Sequence, residues 1–355
     1  MKKALKAVLC IVLVLVLLAV GYLAYVLIDY HRLGDGVLTV SGNPSAKPQA
    51  GEVYKIVSYN IGFGAYEPDY GFFMDGGTES WAWSEERLDA NLGNIAQFLD
   101  KQDADLYILQ EVDRDSTRSY HRDELVPIVT TAANDFAHTW AQNYDSPFLL
   151  YPFLQPHGKS VSGLLTMSRF GIASAERVEL PIEKSLMKLV DLDRCYSVNR
   201  IPVEGGKELV LYNFHLSAYS SDGTIATEQL QMLLMDMQTE YDKGNYCIAG
   251  GDFNKDLLGG SERFGRPEMN YNWAQPIPEG TFEVYDVALA APYDEDIPVP
   301  SCRNADGPYS DAQFVVTVDG FMVSANVQVV DSAVLDTGFA YSDHNPVEMH
   351  FRLVG

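Results

Sequence analysis

Aspartate, asparagine and histidine recur in this chain where apolar runs end. Tyr246 to Asn254 reads YCIAGGDFN, an apolar run closing on Asp252 and Asn254. Glu208 to Ser217 reads ELVLYNFHLS and finishes on Asn213, His215 and Ser217. Val53 to Asn60 ends on Asn60, and Asp105 to Glu111 ends on Glu111. Near the C-terminus, Asp319 sits in FVVTVDGFMVS, and Ser342 to Pro346 reads SDHNP. These residue types suit two tasks. Carboxylates and amide oxygens are hard ligands for a cation such as Mg²⁺, and an acid beside an imidazole can move protons.

Taken singly, each has a plain structural meaning. Asp319-Gly320 is a hairpin signal, Asp343-His344-Asn345-Pro346 is a turn, and His215 is an ordinary strand histidine. Six polar strand ends in one chain point instead to a shared rim. The elements that would build that rim alternate. Ser84 is a candidate N-cap, with Glu85 and Glu86 in the first turn and Leu88, Leu92, Ile95, Ala96 and Leu99 on one helical face. Leu230, Leu233, Leu234 and Met237 mark a second amphipathic helix. Gly163–Ser168, Val327–Leu335 and Val347–Val354 read as further strands. Strand–helix–strand alternation implies an α/β domain.

The remaining features set the surroundings. Lys2, Lys3 and Lys6 precede an uncharged run from Ala7 to Ile28, which as a helix would span about 33 Å, one hydrocarbon core. The flanking lysines favour a cytoplasmic N-terminus, which places the rest of the chain outside. A cleaved signal peptide is the competing reading. Residues 29–51 are polar and rich in Gly, Pro and Ser, a linker, and residues 52–355 form the domain. The 355 residues include 25 basic and 49 acidic ones, a formal net charge of −24. Such a charge repels polyanions and disfavours a duplex-DNA binder. Outside the cell, Cys195 and Cys302 are compatible with a disulfide, while Cys247 reads as a buried thiol.

Read together, SYN (58–60), LQEVD (109–113), NFHLS (213–217), GGDFN (250–254), VDGFMVS (318–324) and SDHNPV (342–347) resemble the endonuclease/exonuclease/phosphatase, or DNase I-like, superfamily over about residues 53–355. The resemblance implies a four-layer α/β sandwich, two mixed sheets face to face with helices outside. It also implies metal-dependent phosphate-ester hydrolysis, with Mg²⁺ (or Mn²⁺) near Glu111, Asp343 and Asn60, the last as ligand or as orienter of Glu111. Asp252 matches the general base and Asn254 a holder of the water or of a phosphoryl oxygen. His215 and His344 match the histidines at the phosphate, with Asp319 pairing His344. Arg194 is a candidate phosphate contact, with Arg200 its rival by spacing, and Asn213 a candidate substrate contact. The family usually carries a bulkier residue at Gly320, which predicts a looser Asp319. His31, His121, His138, His157 and His350 carry no motif and read as surface or structural. Phe72, Phe73, Trp81 and Trp83 fit packing better than a substrate lip.

These readings predict an extracytoplasmic, membrane-tethered esterase acting on a small or lipid-linked phosphate ester. An extracellular nuclease using the same centre is the nearest rival, and a non-catalytic binding module on the same fold is a third reading. The substrate-selecting loops are expected at 61–83, 113–159 and 259–280. Nothing in the sequence addresses oligomeric state.

Overall fold

The computed structural model describes residues 2–182, 192–218, 224–266 and 273–354. In chain order its strands begin with Gly36–Val37 (β1), Val53–Asn60 (β2), Leu106–Asp113 (β3), Ala137–Asp145 (β4), Val161–Ser168 (β5), Ser174–Glu179 (β6), Cys195–Pro202 (β7) and Glu208–His215 (β8). They continue with Tyr246–Asp252 (β9), Val287–Ala290 (β10), Cys302–Arg303 (β11), Val315–Val316 (β12), Asp319–Ser324 (β13), Val327–Val334 (β14) and Val347–Leu353 (β15). The α-helices are Lys2–Asp29 (α1), Glu85–Gln102 (α2), Leu125–Ala132 (α3) and Thr224–Asp242 (α4).

Two mixed sheets carry the domain. One runs β1-β6-β7-β8-β9-β13-β10 and the other β14-β15-β2-β3-β5-β4. Ile56, Leu106 and Ile108 of the second sheet meet Leu209, Leu211, Ile248 and Phe321 of the first in one buried cluster between them. The outer face of the second sheet packs Val57, Tyr59 and Leu109 against Leu88, Leu92, Ile95 and Leu99 of α2. On the other side, Tyr212, Phe214 and Ala249 pack against Leu230, Leu233, Leu234 and Met237 of α4. The helical faces expected from their period are therefore the buried ones, and the layers are helix, sheet, sheet, helix. Ser84 caps α2, accepting a hydrogen bond from the Arg87 N–H at 3.2 Å, worth about 1 kcal/mol in such positions.

Glycine makes the close approach of β9 feasible. A Cβ on Gly250 would lie 2.5 Å from Ile108 of the facing sheet, and one on Gly251, at φ +149°, would lie 2.0 Å from the Phe214 carbonyl oxygen. Gly250 thus admits the other sheet, and Gly251 lets β9 reach β8 in a backbone shape that side chains resist.

Two expectations change, and one isolated signal is decided. The segment 29–51 is not a free linker: Gly36–Val37 pairs with β6, and Ser41 pairs with His138. Backbone groups that a stalk would leave to water are instead hydrogen-bonded to the domain. Asp319-Gly320 is no hairpin turn but the start of β13, opposite Asp252 and Gly251. All four cysteines are free thiols. Cys195 packs with Ala141 and Leu164, whereas Cys302 faces His344, so no disulfide joins them. α1 is long and apolar enough to cross a membrane, and none of its apolar window is covered by the domain.

Candidate active site

Register across the first sheet builds one wall of the site. His215 is the partner of Asp252 across β8 and β9, and Asp252 is the partner of Asp319 across β9 and β13. The three side chains therefore stand in a row. The second sheet supplies the facing wall. Asn60 ends β2, paired with Gln110 of β3. The β3–β5 register shifts between Leu109 and Val112, where Glu111 adopts φ 56°. This bulge turns Glu111 out of the ladder toward the rim, a common device beside functional sites. The SDHNP turn, just before β15, brings in Asp343 and His344.

Asp252 is the centre of the hydrogen bonding. Its Oδ2 accepts from Asn60 Nδ2 at 3.1 Å and lies 3.4 Å from His215 Nε2 and 3.8 Å from His344 Nε2. Its Oδ1 accepts from the Asn254 N–H at 2.8 Å. Asp319 Oδ2 stands 2.7 Å from His344 Nδ1 and accepts from Ser301 Oγ at 2.7 Å. Asn254, at φ 47°, lines the pocket and donates one amide hydrogen to the Leu216 carbonyl at 2.8 Å. The second amide hydrogen is left for a ligand.

The electrostatics separate the two histidines. Burial, reinforced by Arg194, holds His215 well below its ordinary pKa, so its ring is neutral. Burial is the largest influence on His344 and opposes its charge, but Asp319 and Cys302 together more than offset it and hold that ring well above the ordinary value. Burial pushes the Asp252 carboxyl up to about 7, with His344 pulling it down and Asp319 pushing it up. A proton acceptor poised near neutrality thus lies between a neutral and a charged imidazole, the separation of roles expected at an acid–base site.

Glu111 and Asp343, the carboxylates expected to hold a cation, both line this pocket. Burial raises the Glu111 carboxyl despite Arg118, and the Asp343 charge raises it further. Their carboxylate oxygens are donors of the kind Mg²⁺ takes. Asn60, as oriented, donates to Glu111 Oε1 at 3.3 Å, while its Oδ1 accepts from the Gly62 N–H. That geometry favours its orienting role. Asp252, Asp319 and His344 also cluster closely enough for a metal. A proton shared between Asp319 and a charged His344 at 2.7 Å competes with that use.

Three further expectations are corrected or decided. Asn213 does not reach a substrate. It is wholly buried, accepting from Gln110 Nε2 at 2.9 Å and donating to the Leu109 and Leu165 carbonyls at 3.1 Å each. It ties the two sheets together just before the Glu111 bulge, one pleat deeper than His215 on the same face. Arg194 lines the pocket and reaches the His215 carbonyl, whereas Arg200 is bound to Glu208 and Glu240 elsewhere. Asp319 is not loose, because Leu257 stands where a side chain on Gly320 would go.

Sequence reasoning missed several pocket residues. Arg118 is buried, bidentate with Asp113 at 2.9 and 3.0 Å, and lies 3.8 Å from Glu111. Arg303 and Cys302 line the pocket from β11, the Cys302 Sγ 3.5 Å from His344 Nε2. His157 is a wall residue rather than a surface one, and Phe72 belongs both to the pocket and to an aromatic cluster with Phe63 and Tyr66. These residues come from irregular or very short elements, where periodicity carries no signal. All three expected specificity loops contribute walls, the third through Trp273; residues 267–272 of that loop lie outside the described residues. The cavity is about 130 Å³, small beside the roughly 300–1,000 Å³ of pockets that enclose a whole small ligand. It suits a phosphoryl group and its nearest substituents.

A two-sheet sandwich with an acid, a charged histidine–acid pair and an oxygen-rich corner at one rim defines a phosphate-ester hydrolase. Residues 57–344 match the family model described as Endonuclease/Exonuclease/phosphatase family, and the chain belongs to that family. Solved structures agree on the fold. An endonuclease/exonuclease/phosphatase from Beutenbergia cavernae DSM 12333 is 19% identical with a TM-score of 0.56, covering 85% of this chain and 72% of its own. A family protein from Leptotrichia buccalis C-1013-b is 15% identical with a TM-score of 0.55, covering 84% and 100%. ANGEL2, described as a 2′,3′-cyclic phosphatase and solved with adenosine-2′,3′-vanadate, is 17% identical with a TM-score of 0.56, covering 89% and 98%. No curated protein matches the sequence.

Proposed function

We propose that this chain is a divalent-cation-dependent phosphoesterase, tethered by α1 with its catalytic domain outside the cytoplasm, acting on a small or lipid-linked phosphate ester. The observation that carries this reading is the Asp252 carboxylate, buried yet held by Asn60 and Asn254 between a neutral His215 and a charged His344. Asp252 takes the proton of the attacking water. His344, kept charged by Asp319, donates to a phosphoryl oxygen and offsets the charge that builds there. Asn254 and His215 fix the water and the phosphate, and Arg194 and Arg118 make the wall positive. Glu111 and Asp343, with Asn60 orienting Glu111, would hold Mg²⁺ or Mn²⁺, which when bound would offset negative charge at the phosphate. Lys2, Lys3 and Lys6 before the apolar helix support the extracytoplasmic side.

Hydrolysis of bis-p-nitrophenyl phosphate tests the reaction. It is expected to need Mg²⁺ or Mn²⁺, to stop with chelator, and to vanish in Asp252→Ala. Undiminished turnover in that variant would remove the assignment. A panel of sphingomyelin, phosphoinositides, nucleotides, a 2′,3′-cyclic nucleotide, RNA and plasmid DNA then ranks substrates. The acidic domain predicts that DNA ranks low. Digestion of the domain by protease added to intact cells tests its side, and protection there overturns the extracytoplasmic placement.

A further inference from the structure

The end of α1 is bound to one particular loop. Tyr22 donates its hydroxyl to the Phe148 carbonyl at 3.2 Å and accepts from the Leu150 N–H at 3.0 Å. Tyr25 accepts from the Phe148 N–H at 3.1 Å. The loop then presents Tyr151, Phe153 and Leu154 at 63%, 80% and 102% exposure. Such a run of adjacent bare apolar side chains is a surface that awaits a partner. Tyrosines near the end of a membrane helix sit at the headgroup level. Tyr22 and Tyr25 lie in the last two turns of α1, toward the outer headgroups, and they hold the loop's backbone beside them.

We propose that the loop Phe148–Leu154 is a second membrane contact, inserting Tyr151, Phe153 and Leu154 into the same bilayer that α1 crosses. Hydrophobic burial drives the contact. The acidic domain gains nothing from anionic lipid, so a neutral phosphatidylcholine surface suffices. The contact also places the pocket. Tyr151 packs on Phe73 at 5.8 Å, Phe73 on Phe72 at 4.8 Å and on His157 at 5.8 Å, and Phe72 and His157 line the active-site cavity. An aromatic ridge thus runs from the bilayer contact to the pocket lip. Resting on the phosphoesterase reading, this geometry favours a substrate presented at the bilayer surface, its phosphate entering a cavity too small for the rest of it.

The test uses the full chain in phosphatidylcholine vesicles. In a Cys10→Ser background, Leu154→Cys is labelled with an environment-sensitive nitrobenzoxadiazole, with Val284→Cys, exposed on a different segment, as the reference site. The label at 154 is expected to emit to the blue of the one at 284, to be quenched by nitroxides near the lipid headgroups, and to be shielded from aqueous iodide. Water-like emission at 154, or the same blue shift at both sites, overturns the proposal. Thermal melting of each labelled protein guards against misfolding. Hydrolysis of bis-p-nitrophenyl phosphate by the same preparations separates the two readings. An inserted label on an inactive protein overturns the phosphoesterase and leaves the membrane contact standing; a water-exposed label on an active one does the reverse.

Discussion

The two ends of β7, β8 and β9 are charged in opposite ways. At the end opposite the pocket, Arg200 holds Glu208 and Glu240 at 2.8 Å each, and Lys243 and Asn245 also reach Glu240 at 2.8 Å. Glu208 and Glu240 are both paired there, and Arg200 leads in holding the Glu240 carboxyl down to about 2. At the pocket end, Asp252 and Glu111 are buried with too little compensation, and both are raised. The same strands thus end once in a closed ionic network and once in an open one. The closed end holds α4 to the sheet. The open end carries a stability cost that a cation and a phosphate would relieve.

Substitutions at the two ends should separate activity from stability. The largest effect is expected for Asp252→Asn: kcat/KM falls by roughly 10²–10⁴, the usual range for a lost general base. Its melting temperature should hold or rise without added cation. The carboxyl is raised from 3.8 to about 7, so ionising it costs the folded state as pH climbs through that window, and the amide removes this cost. A large drop in melting temperature would mean that Asp252 is chiefly structural.

Asp319→Asn should be next. Burial then acts on His344 without its main counter-charge, and the ring's pKa drops. The alkaline limb of kcat/KM should move to lower pH, with about a 10-fold loss or more at pH 8 and partial recovery in acid. A uniform loss at every pH would contradict the charged-histidine role.

The arginines offer the sharpest contrast. Arg194→Ala should lower kcat/KM roughly 10-fold per folded molecule, the scale of one charged hydrogen bond. Arg200→Ala should leave the rate per folded molecule intact and destabilise by about 1–3 kcal/mol, because Glu240 loses its main partner while the network stays partly wet. Equal effects of the two on activity would erase the distinction between the ends. The smallest effect concerns acid. Glu240 is depressed from 4.5 to about 2, so its contribution is complete above pH 4.5 and is lost as pH falls through 2. Arg200→Ala should flatten the stability curve across that window in acid melts.

The strand–helix alternation was legible in the sequence because its signals are local, whereas the four-layer sandwich and the roles expected at the site followed from the family resemblance. A 3.6-residue period marks α2 and α4, and Asp252 and Asn254, or Asp343 and His344, stand within one strand end or turn. Alternation along a strand also placed Asn213 and His215 on one face, but not their depth. Asn213 lies under Gln110 of the other sheet, and only packing between the sheets decides that. Arg118 and Arg303 escaped notice, and His157 was not placed at the pocket, because loops and very short strands have no period to read.

What the sequence by itself determined is the set of reactive residues at strand ends and the class of chemistry they imply. What only the tertiary structure decided is which of them share a field. Glu111 reaches the rim through a bulge, Arg194 and Arg200 part to opposite ends, Cys302 meets His344 rather than Cys195, and a nominal stalk becomes an edge strand. The physical reason is range. Propensity and periodicity act over a few residues, whereas burial and charge act through space, between positions as far apart in the chain as Asn60 and His344.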